Sequence, residues 1–191
     1  MTFSAVLLAG GEARRMGRDK AKIEFEGAPL WERQLKLLSA LGLQQLFVSA
    51  RSMPEWLPHE VELLLDDPPS RGPLSGLTNA LSAMRTTHLI ALAVDMPFMN
   101  DEEMRELLRH ATAESGVVPI IGQQAEPLAA IYPAQAAADF IAALSGPDFS
   151  LQRIVRRLNA NGKIRLLAIS ETKAPLYRSV NEPGDVAEFT A

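Results

Sequence analysis

The feature that most constrains this chain is an alternation of two hydrophobic patterns. Short, largely apolar runs, Ala5-Val6-Leu7-Leu8, Leu46-Phe47-Val48, Val61 to Leu65 and Leu89 to Val94, are too continuous for strands with one wet face. They read as strands covered on both sides. Between them Trp31, Leu35, Leu38 and Leu41 recur at helical spacing after Pro29, which suits a first helical turn, and Gly42 supplies a stop. Leu74, Leu77, Leu81 and Met84 repeat that spacing before His88. The first hundred residues therefore read β-α-β-α-β-α-β, which predicts an α/β fold: a mainly parallel, twisted sheet between two helical layers.

Further on, Asn100 opens a helix marked by Met104, Leu107 and Leu108, followed by an apolar run at Val117 to Ile121. Pro127 to Tyr132 reads as a strand, Ala134 to Leu144 and Leu151 to Leu158 as helices, Lys163 to Ile169 as a strand, and Glu182 to Phe189 as a short terminal helix. The segments Pro54 to Pro58 and Pro68-Pro69 read as surface loops. No repeat or linker divides the 191 residues, so one domain is expected.

Composition removes several classes of function. The formal net charge of -4 gives no general attraction for nucleic acid or anionic lipid, so any anion site must be local. The absence of cysteine excludes disulfides, thiolate metal ligands and cysteine nucleophiles. No apolar run approaches the roughly 20 residues that span a bilayer, and residues 1 to 11 lack a signal-peptide pattern, so the expectation is a cytoplasmic protein with neither membrane nor nucleic acid as partner.

The densest chemistry follows the first strand. Residues 8 to 20, Leu-Ala-Gly-Gly-Glu-Ala-Arg-Arg-Met-Gly-Arg-Asp-Lys, place three glycines and four cations at the carboxyl end of a buried strand. Glycine lets backbone N–H groups approach an anion, and Arg and Lys neutralise it. In parallel α/β sheets ligands bind outside the carboxyl ends of strands, which favours a phosphate site over a merely solvated loop. The spacing is not that of an ATPase P-loop, because Gly17 is followed by Arg18, nor the G-x-G-x-x-G of dinucleotide-binding proteins.

Asp95, after Leu92-Ala93-Val94, ends another buried strand. A carboxylate there suits Mg²⁺, which takes one or two carboxylates and completes its shell with water and substrate phosphates. Asp95 could equally cap a turn before Pro97. Asp66 and Asp67 end the third strand and face either the same crevice or solvent, while Gly72-Pro73-Leu74-Ser75-Gly76 opens a helix whose free N–H groups suit either a ligand or ordinary capping. His59, His88 and His110 fall in no triad pattern and read as structural or exposed. Arg153, Arg156 and Arg157 form a helix stripe, either solvated or a landing site for a second phosphorylated substrate.

Together, Leu8-Ala9-Gly10-Gly11, Arg15-Met16-Gly17, Asp19-Lys20, Gly72-Pro73-Leu74, Asp95-Met96-Pro97 and Val180-Asn181-Glu182-Pro183 resemble the molybdenum cofactor guanylyltransferases. These are nucleotidyltransferases of the nucleotide-diphospho-sugar transferase fold, which is glycosyltransferase-A-like and Rossmann-like. The resemblance covers nearly the whole chain. It implies that residues 1–100 bind GTP and Mg²⁺ and residues 101–191 bind molybdopterin. Leu8, Ala9, Gly10 and Gly11 would contact guanine and phosphates, Lys20 and Arg15 the phosphates, and Asp95 the Mg²⁺, making Arg15, Lys20 and Asp95 the catalytic set. Gly72, Pro73, Leu74 and Asp66, with Asp67 as the alternative, would complete the nucleotide site. Ser49 stands where the family carries a guanine-side asparagine, and Ser179 where it carries the first of two late asparagines, with Asn181 kept. Ser150, Leu151, Ser179 and Asn181 fall on the molybdopterin side.

The implied partners are GTP and Mo-molybdopterin, with molybdenum-insertion and molybdoenzyme maturation proteins beyond them. The implied reaction is attack of the molybdopterin phosphate on the α-phosphorus of GTP, with pyrophosphate leaving. A cytidylyltransferase on the same cofactor is the nearest rival, but those relatives usually carry Leu-Ala-Ala-Gly where this chain has Ala9-Gly10-Gly11. Sugar-phosphate nucleotidyltransferases are generally longer. A non-catalytic GTP-binding adaptor is the rival outside enzymes, disfavoured by the joint presence of Lys20 and Asp95.

Overall fold

A computed structural model of the chain describes residues 1–10, 19–66 and 69–180. The strands are β1 (Phe3–Leu8), β2 (Glu24–Phe25), β3 (Ala28–Pro29), β4 (Gln45–Ala50), β5 (Glu62–Leu65), β6 (His88–Ala93), β7 (Gly116–Ile121), β8 (Gln124–Ala125), β9 (Ala129–Pro133) and β10 (Ile164–Ala168). The helices are α1 (Leu30–Ser39), α2 (Pro73–Ala83), α3 (Asp101–His110), α4 (Ala137–Leu144) and α5 (Leu151–Ala160), with 3-10 turns at Lys20–Lys22, Ala134–Ala136 and Ala174–Tyr177.

One sheet runs β10-β7-β9-β6-β1-β4-β5, with β8 added to β7. The pairs β6/β1, β1/β4, β4/β5 and β7/β10 are parallel, whereas β9 lies antiparallel to both β6 and β7. Alternation along each strand divides the core. Ala5 and Leu7 face the layer of α1 and α3 with Leu35, Leu38, Met104 and Leu107. Val6 and Leu8 face α2, α4 and α5 with Leu77, Phe140, Ile154 and Leu158. The expected three-layer α/β/α fold is therefore present, and each fully buried leucine in it contributes roughly 1.5–3 kcal/mol.

Several details differ from expectation. Residues 51–61 form no helix between β4 and β5, consistent with the proline loop there but not with a strict β-α alternation. Pro29 is the N-cap of α1, with ψ of 150°, because the two-residue β2–β3 hairpin precedes the helix directly. Leu41 lies beyond the end of α1, and Gly42 turns the chain with φ of 72°. Asn100 caps α3 as expected, its side chain accepting from the Glu103 amide at 2.9 Å. The terminal helix expected at Glu182 to Phe189 lies outside the described residues.

His88 begins β6 at the edge opposite the strand carboxyl ends and is fully buried. Its Nδ1 meets the Thr87 hydroxyl at 2.9 Å, while Nε2 is buried without a hydrogen-bond partner among the described residues. Burial lowers its pKa, only partly offset by the Thr112 and Ser115 backbone. The unfolded chain therefore takes up a proton that the folded one resists. This gives full stability above the unfolded-state pKa of about 6.5 and a loss of stability as pH falls below it. Thermal melts from pH 8 to pH 5 are expected to show this decline, and His88→Leu to flatten it; an equal slope in the variant would refute the assignment.

Candidate nucleotide site

The site forms where the sheet changes direction. β4 and β5 lie on one side of β1 and β6 on the other, so β1 and β6 are neighbours whose crossovers diverge, and a crevice opens at their carboxyl ends. Here a cleft of about 570 Å³, counting the solvent at its mouth, is lined by Leu8, Gly10, Lys20, Ser49, Arg51, Asp66, Gly72, Pro73, Ala93, Val94, Asp95 and Leu128. Eight of the expected nucleotide residues thus share one space: Leu8, Gly10, Lys20, Ser49, Asp66, Gly72, Pro73 and Asp95.

Backbone bonds set the walls. The Val94 amide donates to the Leu8 carbonyl at 3.1 Å, extending the β1–β6 pairing up to Asp95. The Ala9 amide donates to the Ser49 carbonyl at 2.9 Å, so that amide is engaged in the fold. Lys20 Nζ meets Asp95 Oδ2 at 3.0 Å, with the two side chains 14% and 19% exposed. Lys20 is carried by a firmly tied turn. Asp19 caps it through the Ala21 amide, and the other Asp19 oxygen accepts from Trp56 Nε1 at 3.0 Å. Trp56 stacks on Trp31 with centroids 5.2 Å apart, so the 51–61 loop braces the segment that presents Lys20.

On the opposite wall Asp66 accepts from Ser70 at 2.6 Å and from Ser49 at 3.3 Å, and Ser70 Oγ also accepts from the Gly72 amide at 3.1 Å. Gly72 has φ of 62°, a conformation that disfavours side chains, which explains glycine before Pro73 at the start of α2. Gly76 explains the other glycine of that motif: a Cβ there would stand 2.3 Å from Ser49 Oγ and 2.7 Å from Leu8 Cδ2. The helix can approach β1 and β4 this closely only without a side chain.

Not every expected residue reaches the cleft. Leu74 is fully buried in the α2 layer, so its side chain serves the core, and of this motif Gly72 and Pro73 are the residues that line the cleft. Gly11, Arg15, Asp67 and Asn181 lie outside the described residues. Ser150 and Leu151 start α5 and do not line the cleft, but their neighbours tie that helix to the site's periphery. Gln152 makes two hydrogen bonds to the Ala125 backbone, and Arg71 lies over the Phe149 ring at 4.3 Å. Ser179 is exposed, and the adjacent Val180 amide donates to the Asp95 carbonyl at 2.7 Å. Arg153 and Arg157 of the basic stripe pair with Asp148 and Asp139, which favours the solvated reading for those two.

Arg51 and Leu128 line the cleft without having been anticipated. Arg51 directly follows β4, so the strand-end position that singles out Asp95 would also have found it. Leu128 arrives from reversed β9, whose direction no periodicity records. Among the described residues no cluster of three or more metal-ligating side chains forms. Asp95 instead offers a single hard carboxylate with Oδ2 on Lys20, a donor set that suits a magnesium ion sharing substrate phosphates.

A parallel α/β crevice lined by two glycines, a lysine and a strand-end carboxylate has the make-up expected of a nucleotide-handling transferase. Residues 5–162 match the family described as the MobA-like NTP transferase domain, and the chain belongs to that family of nucleotidyltransferases. A protein of Opitutus terrae named "Probable molybdenum cofactor guanylyltransferase" is 34% identical over 96% of this chain and 92% of its own. One of the same name from Natronomonas pharaonis is 30% identical over 96% and 94%. The fold is shared with molybdopterin-guanine dinucleotide biosynthesis protein A of Archaeoglobus fulgidus, with TM-score 0.75 at 21% identity, covering 98% of this chain and 96% of that one. It is also shared with 2-C-methyl-D-erythritol 4-phosphate cytidylyltransferase of Thermus thermophilus, with TM-score 0.72 at 15% identity over 98% and 96%.

Gly76→Ala is expected to push α2 off Ser49 and Leu8, costing about 1–3 kcal/mol in urea unfolding and weakening nucleotide binding roughly tenfold. Unchanged nucleotide affinity in a correctly folded Gly76→Ala protein would show that this close approach does not shape the cleft.

Proposed function

We propose that the protein transfers GMP from GTP to Mo-molybdopterin, giving molybdopterin guanine dinucleotide and pyrophosphate. The observation that carries this reading is the Lys20–Asp95 pair at the adjoining ends of β1 and β6, inside the glycine-lined cleft. A cation for phosphates and a carboxylate for Mg²⁺ then stand together. Full-length relatives named as guanylyltransferases support the choice of substrate class.

In this reading Leu8, Gly10, Ser49, Asp66, Gly72 and Pro73 seat the nucleoside and its phosphates, with Ala9 fixing the β1 end and Gly11, Arg15 and the alternative Asp67 adding to the same site. A phosphate oxygen of molybdopterin attacks the α-phosphorus, a new P–O bond forms, and the bond to the β-phosphate oxygen breaks. The attacking phosphate is already ionised near neutrality, so no strong general base is needed. Lys20 neutralises the departing pyrophosphate, and the walls of the cleft hold the reacting groups in line. Asp95 would hold Mg²⁺, which when bound shields the charge on the phosphates. Ser150, Leu151, Ser179 and Asn181 belong to the molybdopterin side, within one domain whose first hundred residues serve the nucleotide. The compartment is the cytoplasm, and maturation proteins receive the product.

The cytidylyl alternative is tested by thermal stabilisation with Mg²⁺ and either GTP or CTP. The larger shift is expected with GTP, and a larger shift with CTP would reassign the base. Asp95→Ala should lower pyrophosphate release by about a thousandfold or more while leaving the melting temperature within a few degrees. Near-normal turnover would refute the metal role of Asp95, and tight GTP binding by the wild type without turnover on authentic cofactor would favour the adaptor.

A further inference from the structure

A buried carboxylate outside the cleft has no part in the reaction described above. Glu103, in the first turn of α3, has a side chain only 2% exposed, yet it carries two directional contacts. Its Oε1 accepts from the Tyr177 hydroxyl at 2.8 Å, and its Oε2 meets Lys173 Nζ at 2.6 Å. A carboxylate in this setting is costly unless it is paired and hydrogen-bonded, and here both oxygens are engaged. Both partners come from the same late segment, residues 173–180, which runs through the 3-10 turn Ala174–Tyr177.

Three residues past Tyr177, the Val180 amide donates to the Asp95 carbonyl at 2.7 Å, with Val180 itself buried. Asp95 is fixed from the other side as well, since Met96 is held through its carbonyl by buried Gln34 at 2.5 Å. A chain of short contacts thus runs from α3 through Glu103 and Tyr177 to the backbone of the strand-end carboxylate. Apolar packing alone would let such a segment slide along α3. Two hydrogen bonds to one fixed carboxylate set its register. Burial and the Glu103 carboxylate push the Tyr177 pKa far above its ordinary value, so the hydroxyl stays a donor.

We propose that Glu103 is a positioning residue for nucleotidyl transfer, holding the 173–180 segment so that Val180 fixes the Asp95 backbone and Ser179 stands on the acceptor side of the cleft. This rests on the reading of Asp95 and Ser179 given under Proposed function. Lost tethering displaces both without removing any group that touches the nucleotide, and misplacement of about 1 Å far from the chemistry can cost up to a hundredfold.

The test uses the full chain with Tyr177→Phe, Glu103→Gln and Glu103→Ala. Tyr177→Phe should lower kcat/KM for Mo-molybdopterin by roughly tenfold to a hundredfold, a larger loss than the accompanying weakening of GTP binding through Asp95. Glu103→Gln keeps an acceptor for Tyr177 and should recover part of the activity lost in Glu103→Ala. Where Glu103→Ala fails to fold, Tyr177→Phe alone decides. Amide hydrogen exchange at Val180 should accelerate in Tyr177→Phe, with the exchange of β1 unchanged. Unaltered kcat/KM for the acceptor, or parallel losses of GTP affinity and melting temperature, would overturn the proposal. Because Val180 exchange is read on the protein alone, its acceleration supports the tether even were the wild type to release no pyrophosphate. That last result would overturn the functional reading alone.

Discussion

The cleft depends on β1 being paired in parallel along both edges. Ser4 to Leu8 register with Gln45 to Ser49 on one side, and Phe3 to Leu8 with His88 to Ala93 on the other. Parallel pairing brings three strand ends to one edge, so whatever follows Leu8, Ser49 and Ala93 converges whether or not those segments are close in sequence. The glycine segment, Arg51 and Asp95 follow these three ends. Chain direction also forces the connections apart: the crossover after β1 leads to β4 on one side, and the crossover after β5 returns to β6 on the other. The crevice between these diverging connections follows from topology, before any side chain is chosen.

Side chains then decide how tightly the crevice is walled. Gly76 lets α2 lie against Ser49 and Leu8, and Gly116 does the same for the sheet's far half, where a Cβ would stand 2.0 Å from the Ile131 carbonyl oxygen. Both glycines are close-approach positions in regular elements, one in a helix and one in a strand, where glycine otherwise weakens the structure. Their presence is explained by what lies opposite, not by their own conformation.

Much of this was legible in the chain. Fully buried strands leave unbroken apolar runs, so β1, β4 and β6 stand out, and strand-end positions together with the family resemblance pointed to Leu8, Gly10, Lys20, Asp66 and Asp95, all of which line the cleft. What stayed hidden has a physical reason in each case. β2, β3 and β8 are two residues long and can carry no periodicity. The reversal of β9 is invisible because a buried strand has the same hydrophobic pattern in either direction, and with it went the contribution of Leu128. Leu74 shares a motif with Gly72 and Pro73, but in a helix the next residue turns by about 100°, which takes its side chain into the core. In sequence Glu103 is one of three consecutive acids in the first turn of α3, and only the return of Tyr177 and Lys173 distinguishes it from Asp101 and Glu102, which are exposed.

The Lys20–Asp95 pair also bears on what such a cleft can accept. With side chains 14% and 19% exposed, each group is the other's counter-charge. In so sheltered a place each charge lowers the cost of keeping the other out of water. A lone anion drawn to Lys20 competes with Asp95, and a lone cation drawn to Asp95 competes with Lys20. A metal–triphosphate unit brings both signs at once, so phosphate can replace the carboxylate on Lys20 as the cation replaces the ammonium on Asp95. The exchange conserves pairing at both positions. Under the proposed function, charge pairing at the base of the cleft therefore favours the nucleotide and its metal arriving as one ligand over either arriving first.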